Sequence, residues 1–243
     1  MLKKLSRPEP APPWSFLSAI GAVIAMFAAI VLGSTLASTI LDNDSPSAIL
    51  TGWGIGMILT AGFVVFTRIR RSPTDESALR IGAADVRLPL ILAIGIGVGV
   101  LLDIITQLIV NDFALTISEL LDFSQQNNDV FGWLIAFLFM ITLQPIAEGL
   151  VLRGILFPAL RTTVGVWSGF LMCAGFHAVF HFAAYPPPVT DDNAILVWFG
   201  LILPFLTALF ITGVRAYTGN TRASIVAQAG VGAFVIIKLL FFV

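Results

Sequence analysis

Residues 131–154 read FGWLIAFLFMITLQPIAEGLVLRG, and residues 131–147 carry no charge before Glu148 interrupts the run. A stretch of roughly 18 mostly apolar residues is long enough to cross a bilayer core. Comparable runs occupy about 14–40, 48–67, 88–110, 164–185, 194–217 and 223–243. With 58% hydrophobic and 11% charged residues, no soluble domain could cover this much apolar surface. In hydrocarbon a helix satisfies its own backbone groups. The predicted fold is therefore all-α: a multi-pass transmembrane helix bundle of about seven spans.

Lys3, Lys4 and Arg7 precede the first run, which is too long for a signal peptide and is read as a retained anchor. Cytoplasmic loops collect Lys and Arg. Under a seven-span count the first three basic residues, then Arg68, Arg70, Arg71, Arg80 and Arg87, then Arg153 and Arg161, then Arg215 and Arg222 all fall on one side. Only Lys238 does not. The alternate connections are acidic, with Asp42 and Asp44, then Asp112, Glu119, Asp122 and Asp129, then Asp191 and Asp192. The chain is placed in the cell membrane, with the N-terminus cytoplasmic and the C-terminus outside.

Three regions follow. Residues 1–13, with Pro8, Pro10, Pro12 and Pro13, are expected to be a disordered cytoplasmic arm. Residues 14–130 hold the N-terminal spans, whose Gly52 and Gly56, and Gly95 and Gly99, have the small-xxx-small spacing of closely packed helices. Within them, residues 111–130 alternate acids with Phe113, Leu115, Ile117, Leu120, Leu121 and Phe123, the pattern of a short interfacial helix on the outer face. Residues 186–193, PPPVTDDN, read as a rigid outer turn, and residues 131–243 form the core that carries the chemistry.

Glu148 and both histidines of the chain, His177 and His181, fall in consecutive spans. Ionisable groups at membrane depth cost free energy that a merely structural helix avoids. The histidines are four apart and share one helical face. They can ligate zinc, share a proton with Glu148, or simply pack. The zinc alternative lacks the glutamate of a metalloprotease helix between them, so no cofactor is expected. Asp103, with Gln107 one turn on, either lines the same cavity or closes a polar contact between helices, and the second is favoured. No basic patch suits a nucleic acid.

The segment Pro145-Ile146-x-Glu148-x-Leu150-x-x-Arg153-Gly154 resembles the first motif of the CPBP family, the CAAX proteases and bacteriocin-processing enzymes also called Abi proteins. Members usually carry two adjacent glutamates, three residues, then arginine. Glu148 matches the first glutamate and Arg153 the arginine, with Gly149 at the second glutamate. Trp167 and His181 fit the second motif, with His177 at its phenylalanine. Thr218-Gly219-Asn220 opens the third, where Gln228 stands at the histidine and Gly232 at the asparagine. The likeness covers about residues 131–235.

This resemblance implies an intramembrane endopeptidase of the glutamate type, cleaving a peptide or membrane-protein tail. Glu148 and His181 would activate water, and Gln228 is the candidate oxyanion or substrate-binding donor. Arg153, His177 and Asp103 would support them. Restoring the family residues at positions 149, 228 and 232 would then be expected to raise activity. Two alternatives stand beside it: a catalytically silent relative that binds peptides as an immunity or scaffold protein, and a small proton-coupled transporter relaying through Asp103, Glu148 and the histidines. The sequence shows no repeated half of the kind transporters use.

Overall fold

The computed structural model describes residues 2–41, 45–83, 86–110, 117–120, 123, 130–187 and 192–242, with no β-strand among them. Among the described residues, seven helices are long and apolar enough to cross a membrane: α1 (Phe16–Ile40), α2 (Pro46–Ile69), α3 (Leu88–Val110), α4 (Val130–Val164), α5 (Val166–Ala184), α6 (Asn193–Thr218) and α7 (Thr221–Phe241). Their starts follow from local chemistry. Ser15 accepts from the Ser18 N–H, Ser45 from Ala48 and Asp192 from Ala194, so side-chain oxygens take donors that the first turns leave free. Leu17, Leu108, Val130 and Phe241 stand exposed on the outside of the bundle, an apolar surface that suits lipid rather than water.

Small residues set which helices meet. A Cβ at Gly56 would overlap the backbone of α1 at Ile30, and one at Gly95 would overlap the Ala227 carbonyl of α7. The paired glycines thus let α2 close on α1 and α3 on α7 at backbone distance. Lys238, the one basic residue outside the alternation, is buried against α3 and donates to Asp103 Oδ1 at 2.7 Å. It lies in a helix-to-helix ion pair rather than in a loop.

The fourth span is longer than its sequence suggests. Its 35 residues extend about 52 Å at 1.5 Å per residue, well beyond a core of about 30 Å. Arg153 and Arg161, expected in a connecting loop, are therefore helical. The wall is also locally widened: π-helical turns occupy Phe139–Leu143 and Gly149–Leu156 in α4, and Trp198–Ile202 in α6. Pro145, Pro158 and Pro204 each follow one of these turns within a few residues. A proline has no N–H for the carbonyl four residues back, and its ring crowds that oxygen. The wider turn relieves both problems, and such bulges gather at functional sites.

One expectation needs correction. The N-terminal arm is seated, not disordered: Leu2–Leu5 is helical, Arg161 donates to the Leu5 and Arg7 carbonyls at 2.8 Å, and Arg215 holds Glu9 at 2.8 and 3.2 Å. Arg80 lies 3.7 Å from the same carboxylate. Buried arginines that need an acid and carbonyls supply the physical reason. The interfacial helix expected over residues 111–130 lies largely outside the described residues. Its described part, a single turn at Ser118–Leu120 followed by Phe123, has Glu119, Leu120 and Phe123 buried, so it points into the bundle. Much of the turn expected at residues 186–193 likewise falls outside the described residues.

Candidate active site

Between the two π-helical stretches of α4, residues Gln144–Glu148 form one α-helical turn. Gln144 and Glu148 are four apart, so both side chains leave the same face. On α5, His177 and His181 present a matching face, and Tyr185 continues the four-residue step just beyond the helix end. Gln228 arrives from α7, and Glu119 from the segment between α3 and α4.

These groups converge. Gln228 Nε2 donates to Glu148 Oε2 at 2.8 Å, and the Tyr185 hydroxyl donates to Oε1 at 3.2 Å. His181 Nε2 lies 3.3 Å from Oε1 and 3.4 Å from Oε2. The other ring nitrogen of His181, Nδ1, lies 3.2 Å from Glu119 Oε1, which also accepts from Gln144 Nε2 at 2.9 Å. His181 thus sits between two carboxylates from different parts of the chain. Its ring stacks on His177 at 4.2 Å and meets Tyr185 edge-on at 4.8 Å; Tyr185 in turn packs edge-on against Trp53.

Glu148 has no solvent exposure. A buried carboxylate is tolerated when donors take its lone pairs, and here an amide, a phenol and an imidazole surround it. A cavity of about 60 Å³ opens beside the cluster, walled by Glu119, Gln144, His177, His181, Gln228 and Gly232 among others. That is room for water. Two polar atoms near it, His177 Nδ1 and Gln228 Oε1, are buried without a hydrogen-bond partner, so the place is chemically prepared for a polar guest.

One ligand atom from each of Glu148, His177 and His181 lies within 4.8 Å of the others, which supplies the third donor that the zinc alternative lacked in sequence. Two histidines and a carboxylate are a known catalytic zinc set. The Glu148 oxygens also accept from Gln228 and Tyr185, so a cation would share that carboxylate with two donors.

Of the residues singled out in the sequence, Glu148, His177, His181 and Gln228 come together. Arg153 is fully buried nearby, yet none of its guanidinium nitrogens has a hydrogen-bond partner. Gly149, where the family has its second glutamate, offers it no acid. Asp103 belongs elsewhere: it accepts from Gln107 at 2.7 Å, pairs with Lys238, and lines an adjoining cavity of about 40 Å³. It closes a contact between α3 and α7 rather than joining Glu148. Trp167 faces outward against Phe170.

Sequence reasoning missed Glu119, Gln144 and Tyr185 as members of the cluster. Gln144 and Tyr185 had a readable signal, since each lies four residues from Glu148 or His181 on the same face. Glu119 had none, being one acid among several in the connection between α3 and α4.

With this geometry established, comparison with known proteins adds one finding: residues 130–234 match the family described as Type II CAAX prenyl endopeptidase Rce1-like. No curated protein and no solved structure matches the chain. The matched stretch runs from the start of α4 into α7 and so contains Glu148, His177, His181 and Gln228.

Proposed function

We propose, from the premise that this chain belongs to the CPBP family through residues 130–234, that it is an intramembrane endopeptidase hydrolysing a peptide or membrane-protein tail. One observation carries this reading. The glutamate of the first motif, the histidine of the second and the side chain at the histidine position of the third meet at one carboxylate, although they lie 33 and 80 residues apart. Peptide hydrolysis needs a group to take a proton from water and donors to stabilise the oxyanion. Glu148 and His181 supply the acid–base pair. Gln228 has two amide N–H groups, one engaged by Glu148 and one available to the oxyanion.

The test is turnover. The purified chain in lipid vesicles, given peptides with CAAX-type and other apolar C-terminal tails, should release fragments detectable by mass spectrometry. A chelator should leave the rate unchanged, because the reading uses no metal. The silent-relative reading has its own support, since the side chains at positions 149 and 232 are absent and Gln228 is committed to Glu148. Tight peptide binding without fragment release would favour it.

The orientation belongs to the same proposal. Reporter fusions after Arg71, Gly165 and Arg222 should report cytoplasm, and fusions after Asp44, Asp122 and Asp192 the outside. One fusion on the wrong side would break the alternation.

A further inference from the structure

We propose that the cavity between the N-terminal arm and the end of α6 binds the phosphate headgroup of an acidic phospholipid. It shares no wall residue with the Glu148 cavity, and its occupancy is independent of peptide hydrolysis. The space is about 360 Å³, walled by Lys4, Arg7, Glu9, Arg80, Tyr217 and Gly219 among others. Small-ligand sites span about 300–1,000 Å³, so a headgroup fits.

The first ground is charge. Lys4, Arg7 and Arg80 share this wall with a single described acid, Glu9. That carboxylate is already engaged, since Arg215, which has no solvent exposure, takes its two oxygens at 2.8 and 3.2 Å. Arg161, also buried, lies within electrostatic reach of Glu9 and donates only to the Leu5 and Arg7 carbonyls. Of the nearby acids on the helix Pro73–Leu79, Asp75 pairs with Arg68 and Glu76 lines the adjoining hollow instead. Five basic side chains thus gather around one acid, and the excess positive charge draws an anion.

The second ground is Arg80. It is the one described non-glycine residue at positive φ, with φ 54° and ψ 45°. Such a conformation costs free energy, persists only where its surroundings impose it, and gathers at ligand clamps. Here the Arg80 carbonyl accepts from the Thr221 N–H at 2.9 Å, which ties the strained turn to the start of α7. The Arg80 Nε faces Glu9 at 3.7 Å, and Nη1 donates to the Gly219 carbonyl at 3.4 Å. Nη2 is left for a phosphate oxygen, a partner that guanidinium suits.

The third ground is depth. Ala216, Tyr217 and Thr218 of the wall are the last residues of a spanning helix, so the cavity opens where the hydrocarbon core ends. Tyr217 is 40% exposed, with Lys4 Nζ 4.8 Å from its ring centroid. Tyrosines favour the headgroup level of a membrane. These basic residues all fall on the side assigned to the cytoplasm, whose leaflet carries acidic lipids, and basic pockets between spans bind their headgroups. A phosphate there would join Lys4 and Arg7 of the arm to Arg80 of the α2–α3 connection, and so fasten the arm to the bundle.

The experiment uses the full chain in phosphatidylcholine nanodiscs doped with phosphatidylglycerol. Native mass spectrometry should find a phosphatidylglycerol retained on the protein, and the thermal midpoint should rise by about 2 °C or more over undoped discs. Lys4→Ala with Arg7→Ala removes two exposed side chains and leaves the carbonyls and Glu9 that seat the arm. Retention should weaken by about 30-fold, because each basic side chain near an anionic surface contributes about fivefold. The control pair, Arg71→Ala with Arg222→Ala, removes as much charge from exposed positions outside this cavity and should stay within about threefold, being screened by salt.

Equal weakening in both pairs would mean general attraction to a charged surface and would overturn the proposal. Undiminished retention in the Lys4 and Arg7 pair would overturn it as well. Inorganic phosphate added to undoped discs supplies the other source of the same chemistry. A midpoint rise with phosphate equal to that with phosphatidylglycerol would make the ligand a free anion and refute the lipid assignment, whereas no rise would support it.

Discussion

Glu148→Gln is expected to lower peptide cleavage by about 10³-fold or more while leaving the bundle folded. The substitution preserves shape, but one oxygen becomes an NH₂ group. Three donors now converge on that carboxylate, from Gln228, Tyr185 and His181. An amide there must turn its own donor against at least one of them, and it removes the negative charge opposite the imidazole. His181 then loses the partner that fixes its plane, and the proton-transfer geometry at the cavity is lost with it. The stability cost should be modest, about 1–3 kcal/mol for one buried donor left unpaired. Size-exclusion profile and thermal midpoint report the fold, and cleavage rate per folded molecule reports the chemistry. A folded Glu148→Gln protein with unmodified turnover would remove Glu148 from the mechanism.

The spans were legible because crossing a membrane imposes length and hydrophobicity on a chain, and both are visible in composition. The predicted limits of α3 coincide with Leu88–Val110, and the other predicted spans differ by a few residues except at the C-terminal end of α4. That end was misread because Arg153 and Arg161 look like loop residues when a helix is assumed to stop at the bilayer edge. Here the arginines are buried by protein: Arg161 reaches the carbonyls of the N-terminal arm, and Arg215 reaches Glu9 across 206 residues of sequence. Pairings at that separation leave no periodic trace, so the arm's place was unreadable for the same reason. The meeting of Glu148, His181 and Gln228 was legible through the motif register. Glu119 was not, since nothing local in residues 111–130 distinguishes an acid that turns inward from its neighbours.

Gly232→Asn, which would restore the family's side chain at the end of the third motif, is expected to damage the fold rather than improve catalysis. The sequence alone argued the opposite, because an asparagine there would add an oxyanion donor. A Cβ at Gly232, however, would overlap the Met140 carbonyl oxygen and approach its carbonyl carbon to 3.0 Å. Those atoms are backbone, in the π-helical turn Phe139–Leu143 just before Gln144 and Glu148. They cannot rotate aside. Gly149 differs in kind, because the atom in the way there is the Cγ1 of Ile225, a side-chain atom rather than backbone, though a β-branched side chain is itself stiff at that bond. Forcing α7 away from α4 at Met140 would cost about 1–3 kcal/mol or more by overpacking. That corresponds to a fall of about 2–12 °C in thermal midpoint for a chain of this size. The same movement would withdraw Gln228, one helical turn earlier on α7, from Glu148. Cleavage should therefore fall in Gly232→Asn, and adding Gln228→His and Gly149→Glu should not recover it. Gly232→Ala isolates the steric part, since it adds the Cβ without a donor, and it should lose most of the same stability. An asparagine variant with an unchanged midpoint and faster cleavage would show that α7 can give way at Met140, and would return the third motif to its family role.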